Sequence, residues 1–113
     1  MSISDLNTPL RSELASDPDM VELIELFLSE LPARLAAFED AAKGGQADSL
    51  RRLAHQMRGA AAGYGYSSIG KAAGAVEDRI RQLGSEPGPS AVEKVRDEMN
   101  ALSTLCRRAL MKK

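Results

Sequence analysis

The sequence predicts an all-α fold: an antiparallel up-down four-helix bundle with a short N-terminal helix covering one end. Three observations point there. Apolar residues recur at three- and four-residue intervals through most of the 113 residues. Aromatics are limited to Phe27, Phe38, Tyr64 and Tyr66, with no Trp, so the core must rely on aliphatic side chains and Ala, which suits helices better than a β-sandwich. No stretch sustains strand-like alternation, and the five prolines fall at helix starts, turns or one kink.

Residues 1–7 read as loosely ordered. Thr8 and Pro9 read as the N-cap and first position of a short helix through Ala15. Asp17-Pro18-Asp19 repeats that signal, with an acid in the first turn. From there Met20, Ile24, Phe27, Leu31, Leu35, Phe38 and Ala42 share one face of a long helix. Pro32 inside it removes a hydrogen bond and predicts a bend rather than a break, and Gly44-Gly45 ends it.

Asp48 reads as the cap of the second major helix, with Leu50, Leu53, Met57, Ala61 and Tyr64 on its apolar face; Gly63-Tyr64-Gly65-Tyr66 closes it. Ser67 or Ser68 caps a third helix that buries Ile69, Ala73, Val76, Ile80 and Leu83. Residues 84–89 form a turn-rich connection. Ser90 with Glu93 reads as a capping box for a fourth helix, whose stripe is Val92, Val95, Met99, Leu102, Cys106 and Ala109. Lys112-Lys113 complement its dipole at the C-terminus. Residues 1–113 therefore read as one domain, with the bundle core over 18–111 and an N-terminal extension over 1–16. The opening Met and the completeness of the bundle predict a free-standing, monomeric module.

Composition excludes several functions. A net charge of −1 and a pI near 5.8 leave no global basic field for nucleic acid. The single cysteine, Cys106, excludes an intrachain disulfide, is ordinary in a reducing compartment, and lies on an apolar stripe where packing is the usual role. The N-terminus lacks a signal-peptide core and no apolar run reaches transmembrane length, so a soluble, cytoplasmic protein without membrane partners is expected. No glycine-rich phosphate loop follows a strand, which argues against an autonomous kinase. One histidine without Glu-x-x-His pairs cannot build a di-iron site.

The direction of that histidine is informative. At about 100° per residue along the second helix, Leu50, Leu53, Met57, Ala61 and Tyr64 fall within roughly 60° of the side opposite His55. Arg51, Arg52, Arg58 and Gly59 fall within roughly 60° of His55 itself. The imidazole thus occupies the solvent face, where three guanidinium groups can surround it. A neutral imidazole is nucleophilic near pH 7. Arginine can pair an attached phosphate by charge-assisted hydrogen bonds. Gly59 removes bulk one turn away, although in a helix interior it costs about 0.8–1 kcal/mol relative to Ala. The plainer readings are a solvated basic face, glycines that permit close helix packing, and a bundle with no site.

The segment His55-Gln56-Met57-Arg58-Gly59-Ala60-Ala61-Ala62-Gly63-Tyr64-Gly65 resembles the signature of the histidine-containing phosphotransfer (HPt) domain family: His, any residue, an apolar residue, a basic residue, Gly and two small residues. Phe27 to Leu35, Leu50 to Ala54 and Ile69 to Glu77 extend the similarity over residues 18–110. The basic residue, commonly Lys in the family, is here Arg58, and Ala60 stands where Ser is common. The resemblance implies a phosphorelay intermediate, not a kinase. His55 would accept a phosphoryl group from a receiver-domain aspartyl phosphate and pass it reversibly to another receiver aspartate. Arg58 would neutralise phosphoryl charge and Gly59 would give steric access. Arg51, Arg52, Ala62 and Arg81 are docking candidates, and Arg81 on the next helix is also a candidate to reach the phosphoryl site. No cofactor is implied for this chain, because Mg2+ in such transfers belongs to the receiver. The alternatives are a non-catalytic receiver-binding module and a purely structural bundle.

Overall fold

The structure, a computed structural model, describes residues 8–111. The readings of residues 1–7 and of Lys112-Lys113 lie outside the described residues. A single 3-10 turn, Pro18–Met20, leads into helix α1, Val21–Lys43. Then come α2, Ala47–Gly63; α3, Ser67–Leu83; α4, Gly88–Lys94; and α5, Arg96–Leu110. There are no strands among the described residues. The four long helices form a ring in which α1 packs on α2, α2 on α3, α3 on α5, and α5 back on α1. The linkers between α1 and α2 and between α2 and α3 are too short for anything but antiparallel neighbours.

The predicted apolar faces fill the core. Ile24, Phe27, Leu31 and Phe38 of α1 meet Leu50, Met57 and Ala61 of α2, Ile69, Ala73, Val76 and Ile80 of α3, and Leu102, Cys106 and Ala109 of α5. Phe27 packs against Tyr64 and Tyr66, with ring centroids 5.3 and 5.5 Å apart, and so pins α1 to the α2–α3 turn. Cys106 is fully buried, and burial pushes its thiol up to about 12. Pro32 sits within α1, which continues through it, and α1 ends at Gly44 as expected.

The N-terminal segment covers one end of the bundle but is not a helix. Two of its amides are taken by the ends of other helices. Leu10 N–H donates to the Arg108 carbonyl (2.9 Å), and Glu13 N–H donates to Gly65 (2.8 Å). Ser12 Oγ donates to the Tyr64 carbonyl (2.6 Å), and the Arg108 guanidinium holds the Thr8 carbonyl (2.9 Å). Gly65, with φ +84°, lets this strap lie flat, since a side chain there would strike Ser12 and Leu14.

The expected caps also differ. Asp17 does cap the 3-10 turn, accepting from Asp19 N–H at 3.0 Å. Asp48, however, lies inside α2, whose N-cap is Gln46, because two arginines claim its carboxylate. Tyr66 precedes α3, and Ser67 bonds Glu13 instead of the helix amides. Ser90 donates to Glu86 (2.5 Å), so no capping box forms with Glu93. The fourth expected helix is two pieces broken at Val95, with φ −104° and ψ 12°. The break lets α4 lean on α2 while α5 packs on α1 and α3.

Truncating the aromatic pin tests this account: Phe27→Ala is expected to lower stability by about 3–5 kcal/mol in urea unfolding. A loss of only a few tenths would mean that Phe27 does not tie α1 to the turn.

Candidate functional site

His55 lies at the middle of α2 with its side chain 67% exposed, on the face opposite Leu50, Met57 and Ala61. The geometry follows from helix periodicity, since the apolar residues take the core and turn the imidazole outward. The ring is nonetheless anchored. Its Nδ1 stands 2.9 Å from Glu77 Oε2 on α3. Glu77 is the residue that the sequence reading passed over as a site member. Its side chain is only 3% exposed, between Ala73 and Ile80 on the buried stripe of α3. An acid inside an apolar stripe was the available signal, because buried carboxylates need partners.

Three side chains supply them. His55 Nδ1 and Arg81 Nη2, the latter also at 2.9 Å, converge on Oε2, while Arg58 Nη1 lies 3.5 Å from Oε1. Arg58 Nη1 is also 3.6 Å from Asp78 Oδ1. Burial alone would push the Glu77 carboxyl up, but the hydrogen bonds from Arg81 and His55 outweigh it and hold the group below its ordinary range. An ionised Glu77 can only accept, so the neutral ring carries its proton on Nδ1 and presents the lone pair of Nε2 outward.

Arg58 and Arg81 therefore join His55 through one carboxylate. Arg51 and Arg52 do not: both turn to Asp48, Arg51 at 3.0 Å, near the start of α2. Their hydrogen bonds hold the Asp48 carboxyl below its ordinary range, with Arg52 the larger cause. The expected collar of three α2 arginines is thus one α2 arginine and one α3 arginine.

Gly59 bears on the close-packing reading. A side chain built there would meet nothing within 4 Å, so close packing within the chain does not explain the glycine. Gly63 is equally open, whereas Gly70 faces the α2 backbone, 3.3 Å from the Arg58 carbonyl oxygen. Ala62 is exposed beside the α2–α3 groove that Arg58, Lys71 and Asp78 also line. Among the described residues no group of three or more His, Cys, Asp or Glu could hold a metal ion, and no helix is long and apolar enough to cross a membrane.

The family model described as "Hpt domain" matches residues 22–105, which span α1 through most of α5. Neither the curated proteins nor the solved structures gave a match.

The Glu77 linkage has a pH signature. Its folded pKa is depressed, so its contribution to stability is complete above the ordinary value of 4.5 and is lost as pH falls through the folded pKa. The native chain should melt higher than Glu77→Gln at neutral pH, with the gap closing in acid below that value. A gap that persists or widens in acid would contradict an ionised, paired Glu77.

Proposed function

From this chain's membership of the Hpt domain family, phosphoryl carriers that interact with receiver domains in phosphorelays, we propose that His55 is the residue that carries the phosphoryl group. The single observation that carries the assignment is the exposed imidazole held through Nδ1 by a buried carboxylate. That hydrogen bond fixes the ring's orientation and tautomer, and makes Nε2 the more basic nitrogen. The Nε2 lone pair attacks the phosphorus of a receiver aspartyl phosphate. An N–P bond forms, the P–O bond to the aspartate breaks, and the receiver carboxylate leaves with the electron pair. Nδ1 keeps its proton, and the positive charge that develops on the ring faces Glu77. Attack by a second receiver's aspartate on the same phosphorus reverses the sequence.

Arg58 is the cation best placed to follow the phosphoryl charge. Its contacts to Glu77 and Asp78 are long, and its side chain is 53% exposed, so little is lost when it turns toward a new anion. Arg81, at 2.9 Å, stays with Glu77 and keeps the buried charge paired. Gly59 leaves the ground beside the ring bare, so a receiver's loops can close over it. Arg51, Arg52 and Ala62 serve receiver docking outside the phosphoryl contact. The Mg2+ of the exchange is assigned to the receiver, the carrier acts as a monomer without kinase activity of its own, and the cytoplasm is its setting.

Incubation with phosphorylated receivers tests the reading. Acid-labile label is expected on the native chain and absent from His55→Gln. Complex formation without label would indicate a non-catalytic docking module, and neither label nor complex a structural bundle. Arg58→Ala should slow transfer or shorten phosphohistidine lifetime about tenfold, the rate equivalent of one charge-assisted hydrogen bond. Circular dichroism of that variant should keep the native helicity; unaltered kinetics would remove Arg58 from the site.

A further inference from the structure

We propose that Gly74 is a positioning residue for Arg58, its missing side chain leaving a seat on α3 in which the guanidinium lies. The inference rests on the reading of His55 as carrier and Arg58 as its cation. A Cβ placed on Gly74 would stand 3.2 Å from Arg58 Nε, 3.3 Å from Cζ and 3.4 Å from Cδ. The guanidinium thus rests directly on the α3 backbone. One turn further along α3, Glu77 Oε1 and Asp78 Oδ1 flank its Nη1 at 3.5 and 3.6 Å. The glycine sets where the stem lies, and the two carboxylates set where the tip points.

The other glycines of α2 and α3 do different things. Side chains at Gly59 and Gly63 would meet nothing within 4 Å. Gly70, one turn before Gly74, would meet backbone, at 3.3 Å from the Arg58 carbonyl and 3.6 Å from Ala62 N. Gly70 therefore lets the two helices close, and Gly74 leaves room between them for one side chain. Glycine is among the least favourable helix residues, so a buried mid-helix glycine calls for such a reason. The seat matters most for arginine. A guanidinium is a rigid planar fork that needs a flat gap, whereas an ammonium is compact. Confined there, Arg58 starts beside the His55–Glu77 pair and loses less freedom when it engages a phosphoryl group.

The test uses the isolated chain phosphorylated by phosphoramidate, whose P–N bond breaks to release ammonia as the His55 N–P bond forms, so no receiver is involved. Loss of acid-labile phosphate is followed in the native chain, Gly74→Leu, Arg58→Ala and the double variant, with helicity checked by circular dichroism. Gly74→Leu, which fills the seat, is expected to shorten the lifetime several-fold, and the double variant to decay no faster than Arg58→Ala. Gly74→Ala should act in the same direction more weakly, and serves if the leucine variant does not fold. An unchanged lifetime, or shortening in the double variant beyond that of Arg58→Ala, overturns the proposal. The Arg58 Nε–H resonance of the unphosphorylated protein gives a second readout. It should move in either Gly74 variant, and a resonance that stays put sinks the seat. Failure of the native chain to take label refutes the carrier reading and with it the role of the seat in holding the phosphoryl group.

Discussion

Everything distinctive about this surface depends on a carboxylate that the bundle keeps out of water. Burying a charge is expensive unless it is paired and hydrogen-bonded, and Glu77 sits on the core-facing stripe of α3. Three cationic or proton-bearing side chains answer it, two of them from α2. The demand of one buried anion therefore organises an exposed site. Without it, an imidazole on a solvent-facing helix would sample rotamers freely, and neither its direction nor its tautomer would be defined.

Charge balance explains why two arginines are present and why they are not equivalent. Arg58 and Arg81 offset Glu77 and Asp78, so the charges of these four side chains sum to zero. A phosphoryl group adds negative charge that this balance does not cover. Arg81 holds Glu77 at close hydrogen-bonding distance, and its departure would leave a buried anion short of a donor. The polar contacts of Arg58, at the rim, are long. The site thus combines a cation that secures the scaffold with one that, on the proposed reading, would follow the phosphoryl group.

Much of this was legible in the sequence. Helical periodicity located the four long segments and set His55 opposite Leu50 and Met57, and the HPt-like segment around it led to the same residue. Periodicity reports which face a residue occupies, not which neighbour it meets. It placed Arg51, Arg52 and Arg58 near His55 in angle, although Asp48, three and four residues before the first two on the same helix, was already in reach of them. The same limit hid Glu77, whose importance lies in its contact with another helix. Cap signals failed for a related reason. Ser67, Ser90 and Asp48 are good local caps, but Ser67 bonds Glu13 of the N-terminal segment, and Ser90 and Asp48 bond side chains three or four residues away. Thr8-Pro9 misled likewise, because Glu13 N–H, which would have bonded the Pro9 carbonyl in a first turn, bonds Gly65 beyond the end of α2 instead.

The asymmetry around the imidazole bears on how a receiver must approach. Nδ1 is held on the α3 side by Glu77, so Nε2 faces away from α3, over the exposed surface of α2. On that surface the residue one turn along is Gly59, and Gly63 follows it one turn later; a side chain at either would project into open space. On the α3 side lie Arg58, Arg81 and Asp78, all charged. On the proposed reading, a phosphoryl group on Nε2 would have these charged side chains along one edge and bare helix along the other. On the proposed reading, the second edge is where a receiver's loops would find room to close over the ring. The helix glycines that weaken α2 thus lie on the open edge of the imidazole, and the arginines stand on the other.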